Sequence, residues 1–350
     1  MDTIKQLEDR VAELESLCSD IAGKYVVAEK RTKLVTQRAK IWGSLAACAL
    51  VAVVVISPGN KAIAQGYGES FSKLVADVNA LKQKTQFMSV NGKTTTFTGC
   101  NVQIVNGLGA TDGNPNDPFD FKNDAVTNGL GNLIIGYNLH GIGDGPQTGS
   151  HNLILGDGNG FTSYGGIVDG EFNTISGPYA SITGGSSNTV TAEYSSITGD
   201  AFNKAAGFNS TVSGGYANNA SGSYSSVSGG EYNLASGEGS EVSGGYGNTS
   251  SASESSVSGG YLNVSEGNQS SVSGGQGNYA SASAAAVSGG SNNTATGFAS
   301  SIAAGYSNIA SGEISSCLGG YLCRSDDPFS AVLGGYNSTV NTGNGYTHFP

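Results

Sequence analysis

The chain has 350 residues, a net charge of -11, 55 glycines and only 12% charged residues. Low charge argues against a solvated disordered tail, and so much glycine argues against an ordinary globular enzyme. After residue 150 the basic residues are Lys204 and Arg324, set against thirteen acidic ones. Nothing there would neutralise phosphates, which excludes nucleic acid and disfavours an anionic membrane surface as partners.

Residues 1–40 open with MDTIKQLEDRVAELESLCSDIAGKY. Ile4, Leu7, Val11, Leu14, Cys18 and Ile21 alternate by three and four, a short heptad seam that also reads as a single amphipathic helix. The basic run KRTKLVTQRAK follows. Residues 41–64 then hold an apolar stretch, Ile41 to Ile56. Sixteen residues span about 24 Å of helix, short of a ~30 Å hydrocarbon core. Ala62 and Ala64 form the A-x-A pattern of signal-peptidase substrates. Two readings stand side by side: a signal peptide cut near Ala64, or an uncleaved signal-anchor with membrane contact through 41–56. Both place the remainder outside the cell. Leu45-Ala46-Ala47-Cys48 resembles a lipobox, but its apolar residues lie on the wrong side of Cys48.

Residues 65–88 carry a second heptad seam, Phe71, Leu74, Val78 and Leu81, and are expected to form a coiled-coil neck. Asn91-Gly92, between β-prone runs, predicts a tight hairpin turn. Residues 89–164 are expected to be an irregular β-rich capping region, in which NGLGNLIIG and SHNLILG repeat loosely, twenty residues apart. Residues 341–350 are expected to be a tail.

From 165 to 340 the sequence repeats every fifteen residues. An apolar residue recurs at Ile167, Ile182, Ile197, Val212, Val227, Val242, Val257, Val272, Val287, Ile302, Cys317 and Val332. Glycine follows at plus three, with Asp200 as the exception. Asparagine follows at plus six: Asn173, Asn188, Asn203, Asn218, Asn233, Asn248, Asn263, Asn278, Asn293 and Asn308, then Cys323 and Ser338 instead. Small residues such as Ala220, Ala235, Ala280, Ala295 and Ala310 follow at plus eight. Such a period predicts a mainly β fold, a parallel β-roll or β-solenoid with two short strands and two turns per coil. Twelve coils would make a rod of about 58 Å at ~4.8 Å each. The glycines would supply φ > 0 at the reversals. The asparagines would take the left-handed conformation or stack as a hydrogen-bonded ladder. One Val or Ile and one Ala per coil make a thin core, which predicts an oligomer, a homotrimer joined through the seams upstream.

The unit S-V-S-G-G-x-x-N-x-A-S-G resembles the head repeat of YadA-like trimeric autotransporter adhesins, a fourteen-residue unit. Ser256-Val257, Gly260, Asn263 and Gly267 match its frame, Gly259 stands in place of the usual Ile, and the coil here is one residue longer. The resemblance covers about residues 165–340, with a compatible neck. It implies a trimeric parallel β-roll on a coiled-coil stalk, at the cell surface, binding matrix, cells or glycans. The family's C-terminal membrane barrel has no counterpart after the repeats, so its export mechanism does not carry over.

Several candidate sites follow. Position plus four is often aromatic, at Tyr216, Tyr246, Tyr261, Tyr306, Tyr321 and Tyr336. This column reads either as a binding face for glycan or matrix protein or as stacking that stiffens the rod. Serines such as Ser225, Ser255, Ser270 and Ser300 read as solvated turn residues or as a flat hydroxyl array of the kind an ice-binding face needs. Asp112, Asn114, Asn116, Asp117 and Asp120 have calcium-like spacing but lack the sixth-position glycine and have Asn123 in place of the twelfth-position glutamate. Acidic residues do not recur at one coil position, so they form neither a calcium ladder nor a glycosidase pair. No cofactor is expected, and the scattered cysteines make no zinc site. Cys317 and Cys323 read as a disulfide or as buried thiols. The expectation is a non-enzymatic extracellular or surface-anchored fibre protein with a structural or adhesive role. The alternatives are a filament-forming or matrix subunit and an ice-binding solenoid.

Overall fold

The computed structural model describes residues 61–116, 125–139, 145–343 and 348–349. The heptad seam of Ile4–Ile21, the basic run and the apolar stretch 41–56 lie outside the described residues. Among the described residues, no helix is long and apolar enough to cross a membrane.

The chain divides into two units, Met1–Val102 and Gln103–Pro350. In the first, helix α1 spans Lys61–Lys84, so Ala62 and Ala64 fall in its first turn. Leu74 and Leu81 of the second seam are exposed and Val78 is half-buried. Two strands follow, β1 (Met88–Asn91) and β2 (Thr94–Phe97), paired antiparallel with Asn91 opposite Thr94. The hairpin is where the Asn-Gly signal puts it, but the two loop residues are Gly92 and Lys93. Gly92 takes φ 59°, which a glycine adopts without a steric penalty.

The second unit is a parallel β-solenoid of about thirteen turns with coils of about fifteen residues. Two sheets run its length, one of 15 strands and one of 13. Each regular coil gives two residues to each. In the coil around Val257, Ser256-Val257 pair with Ser271-Val272 in the first sheet, and Val264-Ser265 pair with Tyr279-Ala280 in the second. Single bridges form a third parallel row at plus four, through Tyr246, Tyr261 and Gln276.

Where the solenoid starts differs from expectation. The first sheet begins at β3 (Leu133–Ile135), which pairs with β4 (Leu153–Leu155), so the two loose repeats are coils of the same solenoid. Regular parallel pairing therefore begins at Leu133, inside the stretch 89–164 that the sequence reads as irregular. At the other end, His348-Phe349 pair with Ala331-Val332, so part of the expected tail returns to the first sheet.

The apolar column also needs a correction at its first member. Val168, not Ile167, pairs with Ile182, and Ile167 pairs with Ser181. Val168 is 0% exposed and Ile167 is 39% exposed. Alternate strand residues point to opposite faces, so this one-residue slip exchanges inside for outside. The coils from Ile154 to Val168 and from Val168 to Ile182 are therefore fourteen residues long. The fifteenth residue enters through a register shift: Asp169 pairs with Thr183, but Glu171 pairs with Ser186.

Inside the rod the Val/Ile column from Ile182 onward and the Ala column are buried, and where Ser replaces Ala, as at Ser250 and Ser265, it is buried too. Two polar columns join them. The asparagines from Asn173 to Asn308 are buried, and so are Ser195, Ser210, Ser225, Ser240, Ser255, Ser270, Ser300, Ser315 and Ser330. The coil is less thin than one Val and one Ala suggest.

Candidate functional site

The asparagine column is the ladder the spacing predicts. The backbone N–H of each asparagine donates to Oδ1 of its counterpart one coil earlier, as Asn263 does to Asn248 at 2.9 Å. Each Nδ2 donates twice, from Asn263 to the carbonyls of Gly259 (2.8 Å) and Gly275 (3.0 Å). One amide therefore joins consecutive turns, in the dry interior where an unpaired polar group is costly. The ladder starts earlier than the strict period, since Asn159 N–H donates to Asn138 Oδ1 at 2.7 Å. It ends at Cys323, whose N–H donates to Asn308 Oδ1 at 2.9 Å. The asparagines from Asn173 to Asn308 are not the left-handed residues. The residue before each regularly is, as at Phe172 (φ 55°), Tyr232 (φ 57°) and Leu262 (φ 55°).

The glycine at plus three exists for this amide. Gly260 has φ +94°, and a Cβ there would lie 2.3 Å from the Gly275 carbonyl oxygen and 2.4 Å from Asn263 Nδ2. Asp200 occupies the equivalent place with φ 59°, and its carboxylate accepts from Gly215 N–H at 2.7 Å.

The serine columns Ser225, Ser255, Ser270 and Ser300 point into the core, not into solvent. They present no hydroxyl array to ice, and the solvated-turn reading fails as well. Packing explains the choice of residue. Where the plus-eight position is serine, the two hydroxyls pair, as in Ser250–Ser255 at 2.7 Å and Ser265–Ser270 at 2.6 Å. Ala280 and Ala285 stand together where neither is serine. Other hydroxyls one residue to either side of the apolar column do face outward: Ser258, Ser273 and Ser288 are exposed, and Ser256 and Ser271 are half-buried.

Cys317 and Cys323 are free and buried, each in its own column, so there is no disulfide. Burial pushes the Cys317 thiol up to about 12, with Cys323 and Asp326 adding to it. Cys323 replaces an asparagine, and its thiol reaches the carbonyls of Gly335, at 3.4 Å, and Tyr321, at 3.9 Å.

The described residues of the calcium-like loop hydrogen-bond to their own backbone. Asp112 is buried and accepts from Asn114 N–H at 3.0 Å, and Asn114 accepts from Asn116 N–H at 3.2 Å. These carbonyl and carboxyl oxygens close local turns. Asp117 and Asp120 lie outside the described residues, and no metal-holding cluster occurs among the described ones.

The tyrosine column is both exposed and stacked. Tyr216, Tyr246, Tyr261, Tyr306, Tyr321 and Tyr336 share the row of single bridges and are all exposed, from 42% at Tyr246 to 77% at Tyr336. They also stack on one another. Tyr246 and Tyr261 lie 5.4 Å apart at 15°, Tyr306 and Tyr321 5.2 Å at 8°, and Tyr321 and Tyr336 5.3 Å at 3°. Phe202 and Tyr232 extend the ridge by edge-to-face contacts with Tyr216. A second ridge, at another corner of the coil, went unread in the sequence: Tyr164, Tyr179, Tyr194, Phe208 and Tyr224 are in successive ring contact. Its members fall three or four residues before the apolar column, and that alternation hides the regularity. Burial and Tyr179 push the Tyr164 hydroxyl up to about 12.

No family model matches this chain, and neither does any curated protein.

Proposed function

We propose that this protein is an exported or N-terminally anchored, oligomeric fibre protein whose β-solenoid serves a structural or adhesive role outside the cell. The observation that carries this reading is the row of exposed tyrosines repeated along one edge of a continuous rod. Identical groups at fixed spacing favour multivalent contact with repetitive partners, where many weak contacts sum to strong attachment. Tyrosine supplies large, rigid contact area with a polar tip. The proposed partners are extracellular matrix, a glycan or a cell surface.

The proposed homotrimer rests on α1. Helices in proteins owe most of their stability to a packed apolar face, and this 24-residue helix leaves Leu74 and Leu81 uncovered, the residues a coiled coil would bury. Light scattering of the full chain in mild detergent tests this: three chains per particle support it and a monomer overturns it. Adhesion is tested with cells displaying the full chain. Replacing Tyr246, Tyr261, Tyr306 and Tyr321 by serine should abolish attachment to matrix- or glycan-coated surfaces, and unchanged attachment would refute the adhesive role.

A second reading, a filament subunit, is favoured by β3. This terminal strand of the first sheet exposes Leu133, Ile134 and Ile135, and uncovered apolar edges promote strand-to-strand association. Concentration-dependent fibres seen by electron microscopy would support it, and strictly discrete particles would exclude it.

A further inference from the structure

The tyrosine ridge is broken once in its C-terminal half. Between Tyr261 and Tyr306 the bridge row passes through Gln276 and Ser291, far smaller than a phenol ring. Tyr261 stacks on Tyr246 and Tyr306 stacks on Tyr321, so both ring planes lie across the row, and the outer face of each is turned toward the break. Three steps of about 4.8 Å separate these rings, roughly 14 Å along the rod. No ring opposes either face within that span. The break is thus a notch with an aromatic wall at each end.

Its floor is small, polar and uncharged. The next position along each coil is Gly277 and Asn292, a position that holds Tyr232 and Leu262 but also Ala217, Gly247 and Ser307 in other coils. A Cβ on Gly277 would lie 2.6 Å from Asn292 Oδ1, so the Asn292 amide lies over the glycine. Gln276 and Asn292 each offer a donor and an acceptor, and Ser291 offers a hydroxyl. The other tyrosines of this first ridge, except the terminal Tyr336, have neighbouring rings on both sides.

We infer that this notch is a binding site for a neutral saccharide, with a sugar ring laid against Tyr261 or Tyr306 and its hydroxyls bonded to Gln276, Ser291 and Asn292. The chemistry matches on both counts. Sugar C–H faces stack on aromatic rings, and planar amides satisfy vicinal hydroxyls as donor and acceptor together. The net charge of -11 disfavours acidic sugars. This inference rests on the adhesive reading and narrows its partner to a glycan and its site to one place on the ridge.

The test uses the full chain titrated calorimetrically with cellohexaose and with the hexamer of N-acetylglucosamine. The decisive variant is Gln276→Tyr with Ser291→Tyr, which fills the notch with the residue that column already favours. Saccharide binding by the unaltered chain, weakened roughly tenfold or more in the filled variant and in Tyr306→Ser, supports the notch. Binding that is unchanged or tighter in the filled variant overturns it and assigns recognition to the continuous ridge. Absence of binding to both hexamers by the unaltered chain also overturns it. Attachment of displaying cells to matrix protein, measured in parallel, would survive filling of the notch, so failure of the notch and failure of the adhesive reading remain distinct.

Discussion

Asn263 Oδ1 accepts a hydrogen bond from the backbone N–H of Asn278 at 2.9 Å, fifteen residues further along. The same amide donates to Gly259 in its own coil and Gly275 in the next. One side chain thereby fixes the vertical register of adjacent turns and satisfies buried backbone groups at a reversal.

Asn263→Ala should be among the most damaging single changes in the rod. It leaves the Gly259 carbonyl and the Asn278 N–H without this partner, at about 1–3 kcal/mol for each, while the Gly275 carbonyl keeps the Tyr261 N–H. We expect a loss of about 3 kcal/mol or more in denaturant unfolding, with hydrogen exchange accelerated first in the coils around Asn263. A change below about 1 kcal/mol would mean that water or backbone rearrangement replaces the amide.

Serine-to-alanine changes should split by partner. The Oγ of Ser240 is buried without a hydrogen bond, whereas Ser255 bonds Ser250 and the Ala252 carbonyl. Ser240→Ala should be neutral or slightly stabilising, and Ser255→Ala should cost about 1 kcal/mol. Thermal unfolding of the two variants side by side measures the difference, and equal effects would contradict the packing account.

Asp327 anchors the last coil through Thr342 N–H (2.6 Å), Thr342 Oγ1 (2.8 Å) and Gly343 N–H (3.2 Å). These bonds, the Thr342 backbone N–H foremost, hold its carboxyl below the usual carboxylate value. A depressed acid contributes stability that is complete above its unfolded value, near 3.9, and is lost as pH falls through the lower folded value. Amide exchange at Thr342 and Gly343 should therefore stay protected at neutral pH and open on strong acidification. In Asp327→Asn that acid-dependent step should vanish.

Thiol labelling should discriminate sharply. Cys100 is exposed, while Cys317 and Cys323 are buried and the Cys317 thiol is pushed up to about 12. In the folded protein at pH 8, alkylation followed by mass spectrometry should mark Cys100 and spare the other two, because the thiolate is the reactive form. All three should react in denaturant. Labelling of Cys317 without unfolding would show that the C-terminal coils open locally.

The sequence by itself determined the solenoid, its period, its two strands per coil, the asparagine ladder and the apolar and alanine columns. These were legible because each coil repeats one environment, so every inward position is sampled many times and leaves a column. Tertiary structure alone decided what single positions could not reveal. Ile167 and Val168 are both apolar, and only strand pairing shows which one turns inward. Serine suits a solvated turn as well as a narrow core, and only the neighbouring Ala or Ser at plus eight shows that Ser255 is buried. Gly92 and Asn91 both favour a turn, and register chose Gly92. The second aromatic ridge stayed hidden because its rings come from alternating positions that meet only after the coils stack. The notch between Tyr261 and Tyr306 is likewise a property of stacking: in the sequence Gln276 and Ser291 are lapses in a column, and in the rod they are an opening between two rings.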